Sequence, residues 1–187
     1  MKLKDKKILF LGSSVTYGSA SGGYSFVEAA SEICGYTYIK EAVSGTTLVD
    51  VGEKSYVARL KKIDKNEKID LFVCQLSTND AARDFALNEI ECAIRFILEY
   101  VKDTFGCPMA FYTGTYYEKP RYGEMVDLLH KLSEEYGFSI LDLYRDEKML
   151  AVDKADYARY MRDPIHPTVD GYKEWWTPKF VEFFEEI

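Results

Sequence analysis

Two parts of the sequence carry side chains that can support nucleophilic chemistry. The first is a pair of serines, Ser13 and Ser14, which directly follow the apolar run KILFLG at 7–12. The second is Asp163-Pro164-Ile165-His166, near the end of the chain. A histidine can accept the proton of a serine hydroxyl, and a carboxylate can hold that histidine in the required tautomer. These residue types therefore suit a serine nucleophile with a histidine as its base.

The residues around His166 favour a functional role for this histidine over a purely structural one. Pro164 and Pro167 restrict the backbone on both sides of the loop, so that Asp163 can reach one ring nitrogen and leave the other free. A plain turn is the alternative, because Asp-Pro and His-Pro pairs are common in turns. His130, the second histidine, lies in a helical pattern, and we expect it at the surface or boundary of that helix.

The small polar residues from Gly12 to Gly23 fit none of the common phosphate loops. The spacing of Gly12 and Gly18 differs from a Walker loop, and no lysine follows. The dinucleotide pattern G-x-G-x-x-G is absent, and Thr16 stands where the G-x-S-x-G elbow needs a glycine after Ser14. A serine directly after a core strand remains, in a loop that gives a substrate close access.

Hydrophobic patterning predicts strands that alternate with helices. Short apolar runs predict five strands, at 7–12, 36–45, 69–77, 108–114 and 138–144. Apolar residues at helical spacing predict helices at 24–35, 52–62, 86–106, 122–137 and from about 169 to the C-terminus, with a short helix inside 145–168. In the first helix the apolar side is Phe26, Val27, Ala30 and Ile33, and Asn88 is a candidate cap for the long helix.

This alternation predicts a parallel sheet with helices on both faces, a three-layer α/β/α sandwich in a single domain over residues 1–187. Ligands of such folds bind where the strands end. Small polar residues follow each of the first four strands, as this placement requires: Gly12-Ser13-Ser14, Ser44-Gly45-Thr46-Thr47, Ser77-Thr78-Asn79-Asp80 and Thr113-Gly114-Thr115.

Taken in order, these blocks resemble the SGNH (GDSL-like) hydrolase superfamily, esterases and lipases with a flavodoxin-like fold. Gly12-Ser13-Ser14 resembles its Gly-Asp-Ser block, and Gly45 matches the glycine after strand two. Asn79 corresponds to the asparagine of its third block, and Asp163-x-x-His166 to its last block. Two residues depart from the pattern: Ser13 replaces an aspartate and Ser77 replaces a glycine.

The resemblance implies a serine esterase in which Ser14 is the nucleophile, His166 the base and Asp163 the group that orients it. It also implies an oxyanion hole made of the backbone N–H groups of Ser14 and Gly45 and the side-chain amide of Asn79. Neither a metal nor a cofactor is expected. Asp80 is left out of the catalytic set, because it can simply bond to backbone in its loop.

Composition restricts the partners and the location. The formal net charge of −7 argues against nucleic-acid binding. The apolar run after Lys7 is too short for a signal peptide, and no stretch approaches a membrane span. The four cysteines lack C-x-x-C spacing, so we expect reduced core residues in a cytoplasmic protein: Cys34, Cys74, Cys92 and Cys107.

The expected substrate is a small-molecule ester with a short or carbohydrate-linked acyl group. The Tyr-rich segments at 112–122 and 156–163 could stack against sugars, although packing explains them equally well. Other hypotheses stay open: a lysophospholipase or thioesterase, a non-catalytic binding module on the same fold, or a phosphodiester hydrolase that uses Asp80, Arg83 and Asp84. The oligomeric state is not predicted.

Overall fold

The computed structural model describes residues 3–187, and within that range the strands form one five-stranded sheet. Its order is β2-β1-β3-β4-β5, and every neighbouring pair is parallel. The predicted parallel sheet is confirmed, and each strand after the first is shorter than its apolar pattern. The strands are β1 (Lys7–Gly12), β2 (Thr37–Ala42), β3 (Leu71–Gln75), β4 (Met109–Tyr112) and β5 (Ser139–Leu141).

The register aligns the carboxyl ends of the three strands that carry the candidate residues. Leu11 of β1 lies opposite Glu41 of β2 on one side and Cys74 of β3 on the other. The residues that follow these strands therefore emerge side by side at one edge of the sheet. This is the edge at which open α/β sheets bind their ligands.

Helices cover both faces of the sheet, as predicted. In the described range they are α1 (Ser14–Tyr17), α2 (Phe26–Cys34), α3 (Tyr56–Leu60), α4 (Thr78–Ala82), α5 (Leu87–Thr104), α6 (Pro120–Tyr136), α7 (Glu147–Leu150), α8 (Lys154–Tyr160) and α9 (Thr177–Glu186), with a 3₁₀ turn at Ser19–Ser21 and a π-helical segment at Gly171–Trp176. None of the helices in this part of the chain is long and apolar enough to cross a membrane.

Alternate residues of the central strands β1 and β3 pack into two separate cores. Leu9 of β1 and Phe72 of β3 pack with α3, α5 and α6 on one face. Phe10 and Val73 pack on the other face, against α2, the π-helical segment and α9. Because side chains alternate across a strand, β1 and β3 are apolar over most of their length and are buried on both sides. The α/β/α layering is therefore confirmed.

In three segments the structure has short helices that the sequence did not predict. The residues after β1 and β3 were expected in loops, but they form α1 and α4. Segment 145–168 holds two helices, α7 and α8, where one was expected. Each of α1, α4 and α7 has only four or five residues, too few for a hydrophobic period to reveal.

Two expectations about helix faces and caps are wrong. Ile33 is 65% exposed, because it borders a surface groove with Leu3 and Val181 at the rim of the packing between α2 and α9. Asn88 does not cap α5. The helix already begins at Leu87, where the Glu89 carboxylate accepts the N–H of Ala86 at 3.1 Å and so stabilises an earlier start.

The cysteines and His130 have mixed outcomes. Cys74 is buried in the core and Cys92 is exposed, so the expectation of a core position is wrong for Cys92. Cys92 lies on α5 beside residues that face outward, and the helix buries its opposite side. His130 lies within α6 and is half-buried, at the boundary between core and surface, as expected. Its Nε2 lies 2.8 Å from Asp142 Oδ2.

We predict that Phe180→Ala lowers the free energy of unfolding by about 3–5 kcal/mol, since a large cavity is left in a buried aromatic cluster. Phe180 is fully buried and stacks on Phe26 with ring centroids 3.7 Å apart. Urea denaturation followed by circular dichroism measures the loss. Phe96→Ala is the control, because Phe96 is 37% exposed, and it should cost less than about 1 kcal/mol. Equal losses in the two variants would contradict this account of the core.

Candidate active site

Ser14 lies at the first position of α1, directly beyond the carboxyl end of β1. The side-chain oxygen of Gln75, the last residue of β3, holds this turn in place. It accepts the N–H of Ser13 at 2.9 Å and the Ser13 hydroxyl at 3.3 Å. It also accepts the hydroxyl of Thr16 at 2.8 Å and its N–H at 3.3 Å. Four donors thus converge on one buried acceptor and set the geometry on both sides of Ser14.

Gly12 is required because the turn passes so close to the strand. A Cβ at this position would lie 1.7 Å from Thr16 Oγ1 and 2.9 Å from Gln75 Oε1. Thr16 Oγ1 is also 2.6 Å from the Tyr112 hydroxyl, at the end of β4. Burial raises the pKa of Tyr112, so that its hydroxyl stays neutral and continues the hydrogen-bonded chain.

His166 connects Ser14 with Asp163. Its Nε2 is 2.8 Å from Ser14 Oγ, and its Nδ1 is 2.8 Å from Asp163 Oδ2 and 3.0 Å from Oδ1. With the proton on Nδ1, the ring donates to the carboxylate and can accept from the serine hydroxyl. The structure therefore brings together the three residues that the sequence singled out, over a separation of 152 positions.

The Asp163 carboxylate is held ionised by its own loop. Burial acts to raise its pKa, but the N–H groups of Ile165 and His166 and the imidazole outweigh that effect and hold the pKa below its usual range. Asp163 Oδ1 accepts these two N–H groups at 2.8 and 2.9 Å. A carboxylate that stays charged can stabilise a positive charge on the adjacent ring.

Contacts on either side of His166 fix this loop against the helix that carries Ser14. The N–H of Arg162 donates to the carbonyl of His166 at 2.9 Å, and Met161 pairs with Pro167 in an isolated β-bridge. Further along, the buried Tyr172 hydroxyl donates to the carbonyl of Val15 at 2.6 Å. The position of the imidazole relative to Ser14 Oγ is therefore set by packing on both sides of the loop.

Gly45 and Asn79 meet through the loop that follows β2. Gly45 has φ of +77°, a left-handed conformation that glycine adopts without strain. The side-chain amide of Asn79 donates to the carbonyl of Thr46 at 2.9 Å. An amide nitrogen carries two hydrogens, so this bond orients Asn79 and leaves one donor available. Both predicted residues thus lie at the same edge of the sheet as Ser14.

Ser77 has a clear structural role where the resemblance led us to expect a glycine. Its hydroxyl accepts the N–H of Asn79 at 3.2 Å as the N-cap of α4, and donates to the carbonyl of Thr46 at 3.3 Å. Ser77 and Asn79 therefore bind the same carbonyl oxygen. The substitution ties the Asn79 helix to the Gly45 loop more closely than a glycine could.

Asp80 is a buried anchor for the same loop, as the sequence allowed. Its two carboxylate oxygens accept the N–H groups of Leu48 and Val49 at 2.9 and 3.0 Å. Burial raises its pKa, against the effect of these hydrogen bonds. Both oxygens are thus engaged with backbone, while Asp84 is exposed and contacts Arg121 at 3.4 Å. The proposed use of Asp80, Arg83 and Asp84 as a phosphodiester site has no support in these contacts.

Arg59 is a site residue that the sequence did not reveal. It is buried, and its guanidinium donates to the carbonyl of Gly12 at 2.8 Å and to Thr46 Oγ1 at 3.1 Å. It also binds the carbonyl of Glu41 at 2.7 Å and its carboxylate at 3.1 Å, and the carbonyl of Lys54 at 2.9 Å. One side chain therefore joins the ends of β1 and β2 to the Gly45 loop.

Arg59 and Gln75 share a signal that could have identified them. Each is a polar residue inside an otherwise apolar element, YVARL in a helix and LFVCQ in a strand. A buried polar group must find a partner, so its position in such a run marks a place where loops converge. Arg83, in contrast, is exposed and supports Gly45 from outside by donating to its carbonyl at 2.9 Å.

Comparison with known proteins decides the family. The model of the GDSL-like Lipase/Acylhydrolase family matches residues 10–174, which include all the candidate residues described above. The chain belongs to this family. Its fold is that of the SGNH hydrolases, and the family and the fold expected from the sequence are both confirmed.

Solved structures share this fold at low sequence identity. A protein from Lactobacillus plantarum is 18% identical, with a TM-score of 0.83 over 98% of each chain. An acetylxylan esterase from Geobacillus stearothermophilus is 18% identical, with a TM-score of 0.75 over 97% of this chain and 95% of its own. A GDSL-like lipase from Bacteroides thetaiotaomicron is 16% identical, with a TM-score of 0.72 over 97% and 88% of the two chains.

A curated relative is much larger than this GDSL-like chain. Gramicidin S synthase 2 of Brevibacillus brevis is 28% identical over 131 residues, which cover 70% of this chain. The chain spans about 3% of the length of that protein. The likeness therefore concerns one small region of the synthase.

We predict that Arg59→Lys lowers kcat for ester hydrolysis about tenfold or more while KM changes little. Lysine keeps the charge but lacks the planar fork that reaches Gly12, Glu41 and Thr46 together, so the Gly45 loop shifts relative to Ser14. Steady-state kinetics on p-nitrophenyl acetate, well below the melting temperature of the variant, measures the effect.

Arg95→Lys is the control for this substitution, because Arg95 pairs with Glu91 and Glu135 at the surface. The same kcat in both variants would argue against a positioning role for Arg59.

Proposed function

We propose that this enzyme hydrolyses carboxylic esters through an acyl-enzyme on Ser14, with His166 as the general base and Asp163 as the residue that orients it. The observation that carries the proposal is the continuous pair of 2.8 Å contacts from Asp163 Oδ2 to His166 Nδ1 and from His166 Nε2 to Ser14 Oγ. This spacing suits proton transfer between a hydroxyl and an imidazole.

In the first step, Ser14 Oγ attacks the ester carbonyl carbon while its proton passes to His166 Nε2. The carbonyl π electrons move onto oxygen, and the Asp163 carboxylate stabilises the imidazolium that forms. The tetrahedral intermediate then collapses: the bond to the leaving oxygen breaks, and His166 returns its proton to that oxygen, releasing the alcohol. Water repeats the sequence on the acyl-enzyme and releases the acid. Every step uses groups of this chain and water, so the proposal includes no metal or cofactor.

Three donors are available for the oxyanion in this proposal. Ser14 is the first residue of α1, so its N–H has no acceptor within the helix. The Asn79 amide keeps one hydrogen after its bond to Thr46, and the N–H of Gly45 belongs to the same loop. Donors that are already held in place stabilise the developing charge without reorganisation at the moment of reaction.

We propose a short acyl group, carried by a small or carbohydrate-linked alcohol, as the substrate class. The fold neighbour from Geobacillus stearothermophilus is an acetylxylan esterase, and the walls described below include tyrosines from both Tyr-rich segments. We also propose a cytoplasmic location without nucleic-acid partners. The net charge of −7 and the exposed free thiol of Cys92 support these two points.

We predict that a fluorophosphonate probe labels the wild-type protein and fails to label Ser14→Ala. The probe phosphorus reacts with an activated serine oxygen, and Ser14 is the one serine among residues 3–187 that is hydrogen-bonded to a histidine. Ser19→Ala is the matched control, because Ser19 is exposed in the 3₁₀ turn that follows α1, and this variant should still be labelled. Intact-protein mass spectrometry measures the adduct. A folded wild-type protein that takes up no probe would refute the serine mechanism.

We predict that Asn79→Ala remains folded and loses about 10²–10³-fold in kcat, the usual cost of one oxyanion donor. Initial rates on p-nitrophenyl acetate measure this loss, and circular dichroism checks the fold. Asn88→Ala serves as the comparison, since Asn88 is exposed on α5. An unchanged kcat in Asn79→Ala would remove Asn79 from the oxyanion hole.

A further inference from the structure

A cavity of about 230 Å³ lies at the same edge of the sheet as Ser14, and the mechanism above does not use it. Tyr116 contributes to its wall from the segment after β4, and Leu143 from the segment after β5. Complete small-molecule clefts begin at about 300 Å³. This cavity is therefore of a size to hold one part of a substrate.

The remaining walls come from the chain on both sides of the Asp163–His166 loop. Tyr157 lies in α8, which ends just before the loop, and Trp175 lies in the π-helical segment just after it. The rings of Tyr157 and Trp175 meet edge to face, with centroids 6.3 Å apart. α8 ends at Tyr160, three residues before Asp163, and Met161 pairs with Pro167 across the base of the loop. Partial burial, and after it the Asp163 carboxylate, raise the pKa of Tyr157.

The cavity combines fixed aromatic rings with uncharged polar groups. Tyr116 is 54% exposed, although it stacks on Tyr144 with centroids 5.6 Å apart. Trp175 stacks on Tyr160 at 5.7 Å. No charged side chain lines this cavity among residues 3–187. The hydroxyls of Thr115, Tyr116 and Tyr157 also lack a hydrogen-bond partner within the described chain, so they are available to a ligand.

We propose that this cavity binds the leaving alcohol of the ester, and that the alcohol is a sugar ring of one pyranose unit. The proposal rests on the function proposed above. His166 returns a proton to the leaving oxygen, so the alcohol must lie on the His166 side of the bond that breaks. Segments on both sides of this loop wall the cavity, so we place the alcohol there.

The wall chemistry favours a sugar over an alkyl alcohol. A pyranose presents C–H groups on its faces and hydroxyls around its rim. Aromatic rings can pack against such a face, while the three unpaired hydroxyls can bind the rim. An alkyl chain would leave those hydroxyls without partners in a site that has lost its water, which costs binding free energy.

Three acetate esters test the proposal: a monoacetylated methyl pyranoside, hexyl acetate and methyl acetate. We expect kcat/KM for the pyranoside to exceed that for methyl acetate about tenfold, mainly through KM. Val152→Trp, which fills the cavity from a half-buried wall position, should abolish this ratio. Ile33→Trp is the control at an exposed position in a separate groove, and it should keep the wild-type ratio.

The outcomes separate this proposal from the mechanism on which it rests. A preference for hexyl acetate over the pyranoside, lost in Val152→Trp, would overturn the sugar and assign an apolar chain to the cavity. An equal ratio in wild type and Val152→Trp would overturn the subsite itself. If the wild-type protein hydrolyses none of the esters, saturation-transfer NMR of methyl pyranoside with Ser14→Ala and with its Val152→Trp double variant decides the subsite alone. Binding lost only in the double variant supports it, and no binding to either refutes it.

Discussion

The convergence of four donors on the side-chain oxygen of Gln75 is the contact on which the geometry around Ser14 depends. Gln75 ends β3, and the donors belong to Ser13 and Thr16, on either side of Ser14 beyond β1. The acceptor is buried, so no water can replace it, and loss of the contact would leave several polar groups unpaired. The close approach of Thr16 then requires glycine at position 12. The first turn of α1, and with it the position of Ser14 beside His166, follows from this arrangement.

Two buried charged residues restrain the loop on the opposite side of the candidate site. Arg59 binds Thr46 and the carbonyl of Gly12, while Asp80 binds the N–H groups of Leu48 and Val49. A buried charge is stable only where its hydrogen-bonding capacity is satisfied, and each of these groups achieves this with the backbone of a loop. These bonds therefore anchor the Gly45 loop to the core of the protein. This rigidity is what preorganised donors for an oxyanion need.

Ser14 and His166 are 152 positions apart and meet in the candidate site. His166 reaches Ser14 because the segment that follows it packs on α2, and because Tyr172 donates to the carbonyl of Val15. The same segment presents Trp175 to the cavity, next to the place where we propose that the alcohol leaves. The loop that would move the proton and the wall that would bind the alcohol thus belong to one structural unit. A substitution that displaces the wall is therefore expected to displace the loop as well.

The sequence alone determined the alternation of strands and helices, the parallel sheet and the residues that follow each strand. These features depend on local patterns: apolar runs, helical periods and short motifs such as Asp163-x-x-His166. It could not determine that Gln75 and Arg59 organise the loops, that Ser14 begins a helix, or that Ile33 is exposed. Arg59 and Gly12 are 47 positions apart, and Gln75 and Ser13 are 62 positions apart, so no local pattern records their contacts. Only the tertiary structure decides them, because a buried polar group takes its partner from whatever the fold places beside it.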